Sequence, residues 1–160
     1  MNDPGSNDNT LKNAVRLYSA GVLRLAFAYL KNRADAEDVS QEVFIAYLLR
    51  KPRFDAEPKK KAWLMRVTAN KCKNHLRAAR RKAAAPLPDT LADSPAGTNS
   101  IIDCVLALDE KYRIPIHLHY YEGYSIAEIA RLLNAKPATV GTWLARGRFQ
   151  LKSMIGDEFV

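Results

Sequence analysis

The chain has 160 residues, 48% of them hydrophobic, and carries 25 Lys and Arg against 17 Asp and Glu for a net charge of +8. That is apolar material for one core or two small ones, and the positive excess suits a polyanionic partner such as nucleic acid. Two distant cysteines, Cys72 and Cys104, exclude a disulfide scaffold and fit a reducing, intracellular setting. No apolar run is long enough to cross a bilayer, and the N-terminus lacks the basic and apolar regions of a signal peptide, so the expectation is a cytoplasmic protein with no membrane insertion.

The opening "MNDPGSNDNT" is polar and reads as a disordered lead-in. Apolar residues then recur at helical spacing: Leu11, Val15, Tyr18, Val22, Leu25 and Tyr29 advance by three or four, and a second stretch repeats this through Val39, Val43, Phe44, Tyr47 and Leu48. The exposed side of the second helix is acidic, with Asp35, Glu37, Asp38, Gln41 and Glu42. Such a patch repels phosphate and so suits a protein partner. "KPRFDAEPKK" interrupts the pattern with two prolines, and a third helix is expected from about Lys61 to Lys82.

Residues 59–82 hold ten of the 25 basic residues, and no Asp or Glu occurs between Glu57 and Asp89. Trp63 heads this run, with Asn70, Asn74 and His75 along it. A basic helix face holds phosphates and Trp stacks on unpaired bases, which suits single-stranded or melting DNA. The alternatives are a solvated basic face and a Trp63 that packs in the core.

Composition shifts again at "AAAPLPDTLADSPAGTNS", rich in Pro, Ser, Thr and Asp, which reads as a linker between two folded parts or, alternatively, a long surface loop. Beyond it "SIIDCVLALDEKYRIPIHLHYYEGY" gives one or two helices, with Pro115 expected in the first turn of the second. No segment alternates with period two. The expected fold is all-α: two small helical domains, residues 11–82 and 101–156, joined by a flexible linker at 83–100.

The last segment, "SIAEIARLLNAKPATVGTWLARGR", pairs two short amphipathic helices. Ser125 and Glu128 have the spacing of a capping box. Ile126, Ile129, Ala130 and Leu133 share a face, Asn134 suits a left-handed turn residue, and Pro137 suits the first turn of the next helix. Val140, Leu144 and Leu151 form a buried stripe, and Gly147 permits close packing. The opposite face is expected to carry Thr139, Gly141, Thr142, Ala145, Arg146 and Arg148. In a helix-turn-helix the second helix enters the major groove, where Thr and Arg reach base edges and phosphates. An αα-hairpin that merely packs remains the alternative.

Catalytic signatures are missing. There is no glycine-rich phosphate loop, no G-x-S-x-G and no H-E-x-x-H. Cys72 with His75, and His117 with His119, are the nearest approach to metal ligands, but the pairs fall in different expected domains. Asp38 and Glu42 are the one clear carboxylate pair on a shared face. No metal, cofactor or catalytic site is expected.

Three motifs, in order, carry a family resemblance over residues 11–155: "NRADAEDVSQEVFIAYL", "KAWLMRVTANKCKNHLRAARRK" and "ALDEKYRIPIHLHYYEGYSIAEIARLLNAKPATVGTWLARGRFQLK". The chain resembles the extracytoplasmic-function sigma factors, small two-domain specificity subunits of bacterial RNA polymerase. The resemblance implies that Asp35, Glu37, Asp38, Gln41, Glu42 and Phe44 dock on core RNA polymerase. It places Trp63, Arg66, Asn70, Lys73, Arg77 and Arg80 near the minus-ten promoter element, after a loop at about 52–60 that captures a flipped base. Lys136, Thr139, Thr142, Trp143, Arg146 and Arg148 would face the minus-thirty-five element. An anti-sigma factor is implied as a further partner. The family pattern resembles T-V-K-S-R-L where this chain has Thr139-Val140-Gly141-Thr142-Trp143-Leu144, so two customary basic side chains are Gly141 and Trp143. Asn134 stands where Gly is frequent, Lys136 where a Ser cap is common, and Asn74 where Asp is common. The rival functions are a free-standing helix-turn-helix regulator, which leaves the acidic patch and the basic helix unused, and a small nuclease, which lacks its carboxylates.

Overall fold

A computed structural model describes residues 4–82 and 100–155, with side chains from Thr10 onward. Seven α-helices and one π-helical turn form it, with no strand among the described residues. The chain sorts into two compact units, Met1–His75 and Leu76–Val160.

In the first unit, α1 (Pro4–Leu30) and α2 (Arg33–Arg50) are joined by two residues. Lys31 takes the left-handed conformation at φ 56°, and Asn32 caps α2 by accepting from the Asp35 amide at 3.0 Å. So short a connection folds α2 back against α1. The core between them draws on Ala14, Val22, Leu25 and Tyr29 of α1 and on Ala36, Val39, Val43 and Tyr47 of α2.

Two expectations fail here. The first helix reaches back to Pro4, into the stretch read as a lead-in, with proline in the first turn where its missing N–H loses no bond. Val15 and Leu48 are exposed rather than core. Ala14 and Ala46, small residues that a count of large apolar side chains passes over, are buried in their place.

Helix α3 (Glu57–Lys82) starts four residues earlier than the expected Lys61, because Pro58 sits in its first turn, where prolines are tolerated. Leu64, Met65, Thr68, Ala69 and Cys72 form its buried side. Its head is tied down by Glu57, which accepts from the Tyr18 hydroxyl at 2.5 Å. Lys60 lies 4.0 Å from the same carboxylate and 5.6 Å from the centre of the Tyr47 ring. The expected linker falls outside the described residues, apart from Ser100, which caps the following helix by accepting from the Asp103 amide.

The second unit contains α4 (Ile101–Ala107), α5 (Glu110–Ile116), a π turn (His117–Tyr121), α6 (Ile126–Leu133) and α7 (Pro137–Ile155). Pro115 is not in the first turn of α5 but near its end. It lacks an N–H for the ladder and its ring crowds the carbonyl four residues back. The helix widens directly after it, and the Glu122 amide reaches back five residues to the His117 carbonyl at 3.2 Å. Gly123 at φ 75° then turns the chain into α6.

The expected capping box is present: the Ser125 hydroxyl accepts from the Glu128 amide and the Glu128 carboxylate accepts from the Ser125 amide, both at 3.1 Å. Asn134 ends α6 in the left-handed conformation, φ 54° and ψ 50°. Leu132 rather than Ile126 completes the buried side of α6, with Ile129 and Ala130. Val140, Leu144 and Gly147 bury α7, and Leu151 is half-buried. A Cβ at Gly147 would lie 2.9 Å from Ile116 Cγ1, so this glycine sets the approach of α7 to α5.

Candidate nucleic-acid interface

Along α3, Trp63, Arg66, Asn70, Lys73, Arg77 and Arg80 advance by three and four residues, which draws them into one stripe of the helix. Arg66, Asn70, Arg77 and Arg80 are exposed and Lys73 is half-buried. The stripe lies across the helix from Leu64, Thr68 and Cys72, while Lys60 is buried at the helix head. Trp63 is half-buried, its ring edge-on to both Tyr47 and Phe54 with centroids 6.1 Å away in each case. Phe54 belongs to the loop between α2 and α3, and sequence reasoning missed it. An aromatic in a polar, proline-bounded loop was the available signal.

The acidic residues of α2 do not act alike. Glu37 accepts from Arg33 at 3.0 Å, and Asp35 lies 3.6 Å from His75, so both have partners within the unit. Asp38, Gln41 and Glu42 are exposed, and neither Asp38 nor Glu42 forms an ion pair among the described residues. Phe44 is half-buried. Beyond them the helix exposes Ile45, Leu48 and Leu49, the last at 74%. These extend the acidic face into an apolar one that sequence reasoning passed over. The run "VFIAYLL" is apolar on every side of a helix with only one buried stripe, so part of it had to face outward.

On α7, Thr139, Thr142, Trp143 and Arg146 fall at i, i+3, i+4 and i+7 and share a face. Thr142 and Arg146 are exposed, Thr139 and Trp143 half-buried, and Lys136 is exposed just before the helix. The Thr142 hydroxyl donates to the Ala138 carbonyl at 3.1 Å, which leaves its lone pairs to accept from a partner. No neighbour lies within 4 Å of a Cβ built at Gly141, so that position opens to solvent. Arg148 stands apart. Two residues past Arg146, it points about 200° further round the helix, and its Nη1 donates to the Tyr120 hydroxyl at 3.2 Å.

The two histidines of the π turn are both engaged and diverge. His117 is buried, stacked on Tyr121 and 3.4 Å from Glu122, while His119 Nδ1 lies 2.8 Å from the Tyr124 carbonyl. Cys72 and Cys104 are free thiols, and no cluster of three or more metal-ligating side chains occurs among the described residues. No described helix is long and apolar enough to cross a membrane.

Two family descriptions match these two helical regions: Sigma-70 region 2 over residues 14–82, and Sigma-70, region 4 over residues 98–151. The ECF RNA polymerase sigma factor SigM of Mycobacterium tuberculosis is 30% identical over 138 residues, spanning 83% of this chain and 70% of that protein. The chain belongs to the extracytoplasmic-function sigma factors. SigW of Bacillus subtilis, another of these, is 29% identical over 163 residues, covering 89% of this chain and 87% of the relative. Among solved structures, the fold matches sigma factor RpoE, in complex with the anti-sigma factor NepR from Bartonella quintana, with a TM-score of 0.79 at 19% identity. That match covers 92% of this chain and 97% of the other. CnrH, in complex with the cytosolic domain of CnrY, matches with a TM-score of 0.69 at 24% identity, covering 92% and 88%.

This sigma factor thus serves promoter recognition by RNA polymerase, with a region 2 and a region 4 in one chain. A free-standing helix-turn-helix regulator is disfavoured, since it would account for region 4 alone. The relatives are sigma factors, which are not enzymes.

Proposed function

We propose that residues 11–82 bind core RNA polymerase and the minus-ten element, and that residues 101–156 bind the minus-thirty-five element. The acidic face of α2, with Asp35, Glu37, Asp38, Gln41, Glu42 and Phe44, docks on the polymerase. Asp38 and Glu42 supply its uncommitted charge, and Ile45, Leu48 and Leu49 extend it with apolar area. The α3 stripe of Trp63, Arg66, Asn70, Lys73, Arg77 and Arg80 holds the backbone of the melting strand. Lys136, Thr139, Thr142, Trp143, Arg146 and Arg148 contact duplex DNA at the minus-thirty-five element.

The observation that carries this reading is the opposition of charge between two helices of the same region: exposed acid on α2, and an acid-free basic stripe on α3. One face rejects phosphate and the other attracts it, so they take different partners. The protein acts in the cytoplasm by binding and local strand melting, without covalent chemistry. Its activity is held in check by an anti-sigma factor, a partner suggested by the complex in which RpoE was solved.

Charge reversal tests the division of labour. Asp38→Lys is expected to weaken association with core RNA polymerase by about tenfold, the scale of a lost interfacial charge pair, with an unchanged thermal unfolding midpoint. Undiminished polymerase affinity in that variant would remove α2 from the docking surface.

A further inference from the structure

Arg148 lies well off the face shared by Thr139, Thr142, Trp143 and Arg146, beside Gly141 at the edge of the buried stripe of Val140 and Leu144, where it meets Tyr120 of the π turn. That location suits a phosphate at the groove's edge more than a base at its floor, since a helix seated in the major groove brings its flanks to the backbones. A long, exposed arginine side chain loses rotamer freedom when it binds a phosphate, and holding it beforehand reduces that loss.

The π turn does hold it. Pro115 releases the ladder, the turn at His117–Tyr121 follows, and Gly147 lets α7 approach α5 until a Cβ there would meet Ile116. Tyr120 then presents its hydroxyl to Arg148 Nη1 at 3.2 Å. The ring is itself braced: His119 stands edge-on to it, centroids 4.9 Å apart and planes at 86°. His119 in turn donates from Nδ1 to the Tyr124 carbonyl at 2.8 Å, an acceptor that requires the proton on that nitrogen.

We infer that Tyr120 is a positioning residue for Arg148, holding the guanidinium where it meets a DNA phosphate at the minus-thirty-five element. The inference rests on the proposed assignment of Arg148 to DNA and adds a residue outside the helix-turn-helix itself. One Arg148 nitrogen is used by the hydroxyl, and the remaining donors of the guanidinium fork stay available for phosphate oxygens.

The test is a double-mutant cycle with the full-length chain assembled on core RNA polymerase. The probe is duplex DNA selected from a random-sequence pool by that holoenzyme. Arg148→Ala is expected to weaken binding and to lower the slope of log affinity against log salt by about 0.9, one phosphate contact. Tyr120→Phe, which keeps the ring and removes only the hydroxyl, should weaken binding about threefold, a modest value for an exposed hydrogen bond to a charged group. The same change should have no effect in the Arg148→Ala background. Arg148→Ala without effect removes the assignment of Arg148 and the inference with it. A silent Tyr120→Phe, or one equally harmful in both backgrounds, overturns the inference alone and leaves Arg148 on the DNA. Unfolding midpoints of the variants, expected to match the parent, separate positioning from folding.

Discussion

At the scale of single residues, α7 carries two glycines with opposite roles. Gly147 faces Ile116, where an added methyl would overlap a packed side chain, while Gly141 has no neighbour within 4 Å. Gly147→Ala should therefore destabilise the protein by about 1–3 kcal/mol, the usual penalty of overpacking. Gly141→Ala should stabilise it by about 0.5–1 kcal/mol through helix propensity. Urea unfolding of the two variants reads both signs, and matching signs would contradict the packing described for α7. Tyr18 offers a second residue-level outcome. Its hydroxyl is pushed up from 10.0 to about 12, first by burial, then by its hydrogen bond to Glu57 and the charge of that carboxylate. A folded value above the unfolded one favours the protonated side chain in the native state. The stability it supplies is therefore complete below about pH 10 and is lost as pH climbs toward 12. Tyr18→Phe should lose that pH dependence, and a tyrosinate absorbance titration should show one fewer late-titrating tyrosine.

At the scale of elements, the helix-turn-helix was the most legible part of the sequence. The capping box, Asn134 and Pro137 are local signals, decided by backbone groups within four residues, and each forms as expected. Ser125→Ala should cost about 1 kcal/mol of stability, as other N-cap deletions do, measurable as a lower urea midpoint. No change would mean that Glu128 alone secures the start of α6. What the sequence hid depended on tertiary packing. Ala14 and Ala46 take core positions that larger residues seemed to claim. Pro115 starts nothing; it loosens the end of α5 into a π turn, because the ladder is already running when the proline arrives. Tyr120 belongs with Arg148 across 28 positions of chain, a pairing without a local pattern. Leu49 and Ile45 stay outside because α2 has one buried stripe, and only the packing of α1 decides which.

For the whole molecule, the net charge of +8 is a poor guide until it is resolved by face. Arg66, Lys73, Arg77 and Arg80 share one stripe of α3 while Asp38 and Glu42 stand exposed on α2. The recognition helix α7 is modest in charge, with Gly141 and Trp143 where basic side chains are customary in the family. On the proposed assignment its grip on DNA is supplemented by α3 and by the polymerase docked on α2, and sequence-specific initiation is expected to require all three together. The most direct measurement is promoter-directed transcription from linear DNA by core RNA polymerase, with and without the purified chain. Specific initiation that appears only with both components is the predicted result. Tight duplex binding by the chain alone, with no specific transcript when polymerase is added, would contradict the account.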